Sequence, residues 1–171
     1  MGRQAAKRIE HYFLARNRSG ESDEMPWLRI PGLAKLELPR PVVLINGGFD
    51  LLTVSHLRLI SAARDHATSL VCALDSDAKL KRTKGPSRPI MTFVERATAL
   101  GYTPIDYLVE VDTDSEFRRL IAALKPDLRV QGIEYRDKPT RFPSIPKMFV
   151  RSGLHTSEVI DRIVKQHTTE N

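Results

Sequence analysis

The sequence predicts an α/β domain: a doubly wound, parallel five-stranded sheet with helices on both faces, in three α/β/α layers. Three observations point there. From Pro41 onward, short apolar runs alternate with helical patterns, as βαβ units do. The runs are nearly continuous in apolar character, which is how strands covered on both faces read. Between them, Thr92 with Glu95 and Thr113 with Glu116 form capping boxes, in which hydroxyl and carboxylate each satisfy an orphan N–H at a helix start. A chain of 171 residues suits one core.

In chain order, Arg3 to Arg16 has helical spacing, with Ala5, Ile9, Tyr12 and Phe13 on one side. Asn17 to Met25 turns to Ser, Gly, Asp and Glu, the composition of a linker. Trp27 to Pro41 carries Pro31 and Pro39 and reads as a segment lying extended over the surface. Residues 1–40 are therefore expected to be an N-terminal extension, and 41–167 the functional domain. Its strands should be Val42–Ile45, Leu70–Leu74, Tyr107–Val111, Leu128–Val130 and Lys147–Val150, with a helix from about Leu57 to Arg64 after the first. Lys79, Lys81, Arg82, Lys84 and Arg88 crowd an acid-free stretch with Gly85 and Pro86, which reads as a basic loop.

Composition narrows the function classes. Hydrophobic residues at 41% and charged residues at 28% are ordinary for a globular protein, and no apolar run nears the roughly 20 residues of a membrane span. Met1–Ala6 carries no apolar signal region, so a cytoplasmic location is expected. Cys72 is the sole cysteine, which excludes an internal disulfide and a cysteine zinc cluster and predicts a buried thiol. A net charge of +6 suits a polyanionic partner, small phosphates as well as nucleic acid. No nucleic-acid motif accompanies the charge, and 6% aromatic content leaves few stacking platforms.

The chemistry concentrates where the first strand runs through Asn46, Gly47, Gly48, Phe49 and Asp50 into Thr53-Val54-Ser55-His56 and a helix. Glycines let backbone approach a phosphate, and the helix N-terminus adds N–H groups and partial positive charge. This stretch resembles the cytidylyltransferase-like nucleotidyltransferase family, whose signature is a glycine turn, Phe-Asp, then His-x-Gly-His opening a helix. Further matches follow in order: Asp75-Ser76-Asp77, Lys84-Gly85, Arg88-Pro89-Ile90, Arg96, Lys125-Pro126-Asp127, Gly132 to Tyr135, and Thr156-Ser157-Glu158. The pattern covers Pro41 to Ile163 and is most similar to the ADP-heptose synthase type of sugar-phosphate adenylyltransferase.

The resemblance implies a Rossmann-like, HUP-type fold and in-line attack by a substrate phosphate or hydroxyl on the α-phosphate of ATP or CTP, with Mg²⁺ held through the phosphates. Such transfer depends on positioning and charge neutralisation more than on a protein nucleophile. His56, Lys84 and Thr53 are the implied catalytic residues. Asn46, Gly47, Gly48, Phe49, Asp50, Ser55, Arg88, Gly132, His155, Thr156 and Ser157 would bind the nucleotide. Asp77, Glu134, Tyr135 and Arg136 would meet the acceptor, a small phosphorylated sugar or polyol, with Arg136 or Arg141 gripping its phosphate. A homodimer exchanging the N-terminal arm fits such folds.

Two positions depart from the signature: Thr53 replaces its first histidine and Ser55 its glycine. Threonine donates one hydrogen bond and carries no positive charge. Two readings follow, an active AMP-transferring or CMP-transferring enzyme, and a nucleotide-binding protein that kept the pocket without the chemistry. His155, at the start of the last helix, is a candidate replacement for the lost imidazole. Asp50 is open to a capping role as much as to ligand contact.

Overall fold

The computed structural model describes residues 13–16, 27–29, 37–139, 145–151, 153 and 155–168. Among these residues seven strands form one sheet, in the order β2-β1-β5-β4-β3-β6-β7. The predicted five-stranded parallel core is β3 (Val42–Gly47), β4 (Ser69–Asp75), β5 (Tyr107–Val111), β6 (Leu128–Gly132) and β7 (Lys147–Val150). The first two strands, β1 (Phe13–Arg16) and β2 (Trp27–Arg29), extend it antiparallel beyond β5.

The helix expected over Arg3–Arg16 is therefore corrected at its end, where Phe13 to Arg16 is strand; residues 1–12 lie outside the described residues, as does the expected linker. The open edge of β5 offers a row of backbone donors and acceptors, and pairing with it outweighs a local helical pattern. The second correction concerns the basic stretch. Most of it is helix, α2 (Asp77–Lys84), which the Ser76 hydroxyl starts by accepting the Lys79 N–H at 3.0 Å and Gly85 ends at φ 102°.

The remaining helices are α1 (Val54–Arg64), α3 (Phe93–Gly101), α4 (Asp114–Leu124) and α5 (Thr156–Thr168), and Ile133–Tyr135 forms a 3-10 turn after β6. Helix α1 begins three residues earlier than its apolar spacing suggested, with Thr53 at its cap. Both predicted capping boxes are present at the starts of α3 and α4.

Strand alternation divides the core between two faces. Val43, Ile45, Cys72, Leu74 and Leu108 pack beneath Ile60 and Ala63 of α1 and Ala97 and Leu100 of α3. Val42, Leu44, Val71, Ala73 and Val109 pack beneath Phe117, Leu120 and Leu124 of α4. Each of the Val, Leu and Ile side chains contributes about 1.5–3 kcal/mol when fully buried. Cys72 is fully enclosed, and burial pushes its thiol pKa far up. No helix among the described residues is long and apolar enough to cross a membrane.

The chain order positions the site. From β3 it winds outward through β4 and β5, then returns to the other side of β3 as β6 and β7. The winding direction thus reverses between β3 and β6, and in an open α/β sheet the crevice at that reversal, beyond the carboxyl ends of the strands, is where ligands bind.

Candidate functional site

At that reversal lies a cavity of about 250 Å³. The β3 turn from Asn46 to Asp50 forms its floor, with His56 and Leu59 of α1, Lys84 of α2, Gln131 and Gly132 at the end of β6, Glu134 and Tyr135 after it, and His155 to Ser157 at the start of α5 around it.

The turn is strained and held from behind. Phe49 and Leu51 have φ of 46° and 50°, the left-handed region that costs a non-glycine residue about 1–3 kcal/mol and persists only where its surroundings dictate it. At Gly48 a Cβ would lie 2.8 Å from Leu80 Cδ2, so the glycine leaves the room that the buried Leu80 side chain of α2 occupies. Asp50 is 2% exposed. Its Oδ2 accepts the Arg88 Nε–H and the Ile90 N–H, both at 2.9 Å, and its Oδ1 accepts the Met91 N–H at 2.9 Å. Burial alone would push this carboxyl up, but the two backbone N–H groups and the Arg88 guanidinium outweigh burial and hold it below its ordinary value. Arg96, with no exposed surface, donates to the Gly48 carbonyl at 2.6 Å, the Met91 carbonyl at 3.1 Å and Asp77 Oδ1 at 2.7 Å.

His56 stands at the cavity wall, its ring centroid 5.2 Å from that of Phe49. Burial lowers its pKa to about 4, assisted by the nearby Lys84 and His155, so the imidazole is neutral at pH 7. The Thr53 N–H donates to Nδ1 at 3.1 Å, so His56 fills the glutamate's place in a capping box. Nδ1 is thus the acceptor nitrogen, and the proton of the neutral ring belongs on Nε2. Lys84 faces the same cavity, its pKa lowered first by burial and next by Arg88. The Thr156 hydroxyl donates to the Asp50 carbonyl at 2.7 Å, which binds the start of α5 to the turn.

The structure brings most sequence-predicted residues to one place. Asn46, Gly47, Gly48, Phe49, Asp50, His56, Lys84, Gly132, Glu134, Tyr135, His155, Thr156 and Ser157 all line the cavity. Five others stand elsewhere. Arg88 is buried against Asp50, its Nη2 2.7 Å from Oδ2. Asp77 holds Arg96. Thr53 lies beneath His56, its hydroxyl 3.2 Å from Nδ1. Ser55 is buried and accepts the Gly153 N–H at 2.7 Å. Arg136 lines an adjoining cavity, and Arg141 lies outside the described residues.

Sequence reasoning matched Arg96 to the family pattern without giving it a role, and singled out neither Gln131 nor Arg129. Arg96 carried a second signal, a cation inside the apolar stripe of α3. Arg129 donates to Asn46 Oδ1 at 3.1 and 2.8 Å, leaving the Asn46 amide N–H groups as donors for a ligand.

A glycine turn at the sheet reversal, an imidazole at a helix start and a lysine facing them make an anion cradle. The model of the cytidylyltransferase-like family matches residues 44–162, which contain all of these groups. The chain belongs to the cytidylyltransferase-like family. That family is one of nucleotidyltransferases, as the sequence motifs implied, and the relatives agree with the ADP-heptose synthase type named from them. Bifunctional protein HldE of Campylobacter curvus is 39% identical over 130 residues, 72% of this chain and 27% of that protein. Its counterpart in Syntrophotalea carbinolica is 39% identical over 131 residues, 76% of this chain and 26% of that one. The Helicobacter pylori (strain HPAG1) protein is 36% identical over 131 residues, 74% and 28% of the two chains. The chain thus spans about a quarter of the length of these curated relatives. The crystal structure of the lipopolysaccharide core biosynthesis protein from Thermoplasma volcanium GSS1 superposes with a TM-score of 0.52 at 17% identity, covering 67% of this chain and 97% of that one, a likeness of fold.

Within the cytidylyltransferase-like frame, the two altered signature residues acquire definite places. Thr53 supports the imidazole from below, and Ser55 fastens α1 to the segment leading into α5. Both hydroxyls are spent inside the protein, and neither residue lines the cavity.

Proposed function

We propose that the chain transfers a nucleoside monophosphate, AMP in preference to CMP, from a nucleoside triphosphate to a small phosphorylated substrate such as a sugar or polyol phosphate, releasing pyrophosphate. The observation carrying this reading is the convergence of Lys84, the neutral His56 and the α5 N-terminus on one cavity above the Gly47-Gly48 turn. The triphosphate would lie along that turn. An oxygen of the acceptor would attack the α-phosphorus in line, the bond to the bridging oxygen would break, and pyrophosphate would depart with the electron pair.

Charge builds on the leaving pyrophosphate and on the equatorial oxygens. The Nε2–H of His56 donates to those oxygens without titrating near neutrality, and Lys84 supplies the positive charge. One preorganised donor of this sort is worth about 3–4 kcal/mol in the transition state. Mg²⁺ would enter as the counter-ion of the triphosphate with phosphate oxygens as ligands. That suits a site where the Asp50 carboxylate is already committed to Arg88, Ile90 and Met91. The AMP preference rests on the likeness to the ADP-heptose synthase type, and the cytoplasmic setting proposed with it rests on the N-terminal composition and the buried Cys72.

Pyrophosphate release measured with ATP and with CTP across a panel of sugar and polyol phosphates tests the proposal. Turnover with ATP and one acceptor class supports it. A second reading, nucleotide binding without transfer, draws on the inward engagement of the Thr53 and Ser55 hydroxyls. It predicts thermal stabilisation by ATP with no pyrophosphate released from any pair.

A further inference from the structure

Beside the cavity floor stands a cation to which the proposed transfer gives no part. Arg129 of β6 is the register partner of Leu44 on β3, so the two side chains share one face of the sheet. That face is core. Leu44 is fully buried, the Phe117 ring of α4 has its centroid 5.2 Å from Arg129 Cζ, and Arg129 itself is 8% exposed. Burial lowers its pKa, yet a guanidinium keeps its charge at neutral pH. A buried charge is a costly way to join two strands, because apolar residues of similar volume often leave a fold as stable or more so. The ladder between β3 and β6 already joins them.

The effect of the charge lies at Asn46, one pleat further along the same face. Nε and Nη2 of Arg129 both donate to Asn46 Oδ1, at 3.1 and 2.8 Å, which fills the two lone pairs of that oxygen. A flipped amide would set its NH₂ against a guanidinium that has only donors, so one orientation survives. Asn46 therefore offers the cavity N–H groups alone, and among the described residues no protein acceptor takes them. It is the last side chain of β3 before the Gly47-Gly48 turn, and it lines the same cavity as His56 and Lys84. The positive charge behind the amide polarises it and strengthens its N–H groups as donors. A phosphate oxygen of a nucleotide, which accepts and does not donate, is the matching partner.

We propose that Arg129 is a positioning residue of this site: it locks the Asn46 amide with its N–H groups toward the cavity, where they donate to a non-bridging oxygen of the bound nucleotide's phosphate chain. The proposal rests on the nucleotide reading of the cavity and not on transfer to an acceptor. Arg129 acts through Asn46, and the asparagine makes the contact.

Aspartate at position 46 separates this role from a structural one. Asn46→Asp gives Arg129 a carboxylate, so a structural contact is kept or strengthened, while both N–H groups vanish and a negative charge meets the phosphates. Calorimetry on the full chain with Mg²⁺-ATP and with magnesium tripolyphosphate reads binding, and urea unfolding reads the fold. The set is the parent, Asn46→Asp, Asn46→Ala, Arg129→Met and the Asn46→Ala/Arg129→Met double variant, with Arg129→Lys in place of Arg129→Met should the latter not fold. In Asn46→Asp both ligands should weaken about tenfold or more, with a urea midpoint at or above the parent's. Asn46→Ala and Arg129→Met should each weaken binding by roughly three- to tenfold, and the double variant no further than either. ATP affinity in Asn46→Asp within about twofold of the parent, or a midpoint clearly below the parent's in that variant, overturns the proposal. So do losses that multiply in the double variant, because Arg129 would then hold the ligand directly. A loss with ATP and none with tripolyphosphate would put the amide on the nucleoside and overturns it too. The expected binding losses together with no pyrophosphate release from any nucleotide and acceptor leave Arg129 its role and remove the transfer reading instead.

Discussion

Replacing Asp50 by asparagine removes one charge from the turn and keeps its volume. Three N–H donors converge on the carboxylate, those of Arg88 and Ile90 on Oδ2 and that of Met91 on Oδ1, each at 2.9 Å. An asparagine has one acceptor oxygen, so in either orientation its NH₂ confronts at least one of these donors. One orphaned N–H costs about 1–3 kcal/mol, and removing one partner of a buried ion pair costs about 3–5 kcal/mol. Because both figures describe the same group they overlap, and the expected loss is about 3–5 kcal/mol, a large share of a typical domain's 5–15 kcal/mol. Urea unfolding followed by circular dichroism at pH 7 measures it, with Arg88→Met and the double variant completing a cycle. Since Asp50 is held below its ordinary value, its contribution is present above the unfolded carboxyl pKa and fades as pH falls through the folded one. The gap between parent and variant should therefore narrow below about pH 4. A loss under about 1 kcal/mol at pH 7, additive with Arg88→Met, would refute the view that this ion pair holds the turn.

Three further outcomes follow from the same geometry. Gly48→Ala places a Cβ 2.8 Å from the buried Leu80 side chain, so that side chain, or α2 with its Lys84, must shift; turnover should fall up to about 100-fold with the fold retained, and Leu80→Ala should restore part of it. The folded chain keeps His56 neutral down to about pH 4 while the unfolded chain takes up a proton near 6.5, so acid costs the parent protein stability that a His56→Gln variant keeps. Urea midpoints at pH 7 and pH 5 should converge between the two as pH falls. His155→Ala should reduce pyrophosphate release about as severely as His56→Ala, by roughly 100-fold or more, if the α5 imidazole works on the triphosphate; near-normal turnover would dismiss that role.

The parallel core was legible because its strands are buried on both faces and so carry continuous apolar runs. Tyr107–Val111 and Lys147–Val150 match their predicted limits residue for residue. The cavity's floor and the adjoining His56 wall were legible because Gly47, Gly48 and His56 are close in sequence. What escaped depends on partners far along the chain. β1 forms against β5 some 90 residues away, and nothing in Phe13 to Arg16 encodes that edge. Helix α2 hid behind its charge, because a single buried Leu80 and the Ser76 cap carry it while the other side chains read as loop. Arg88 looked like a phosphate ligand and is committed to Asp50, 38 residues distant. Arg129 reaches Asn46 across 83 residues, a pairing with no periodic trace.

The two changes in the His-x-Gly-His signature also make sense together. The imidazole of His56 can present Nε2–H to a ligand because Nδ1 is occupied by the Thr53 N–H, and that bond comes from backbone which any residue at position 53 would provide. The threonine hydroxyl adds a contact to Nδ1, on the side of the ring away from the donor it presents. Position 53 supplies no imidazole in this chain, and the described structure offers His155, which lines the cavity and stands close enough to depress the His56 pKa. Ser55 ties α1 to Gly153, two residues before His155. The substitution that fills the glycine position is thus the one that fixes the segment bearing the alternative histidine.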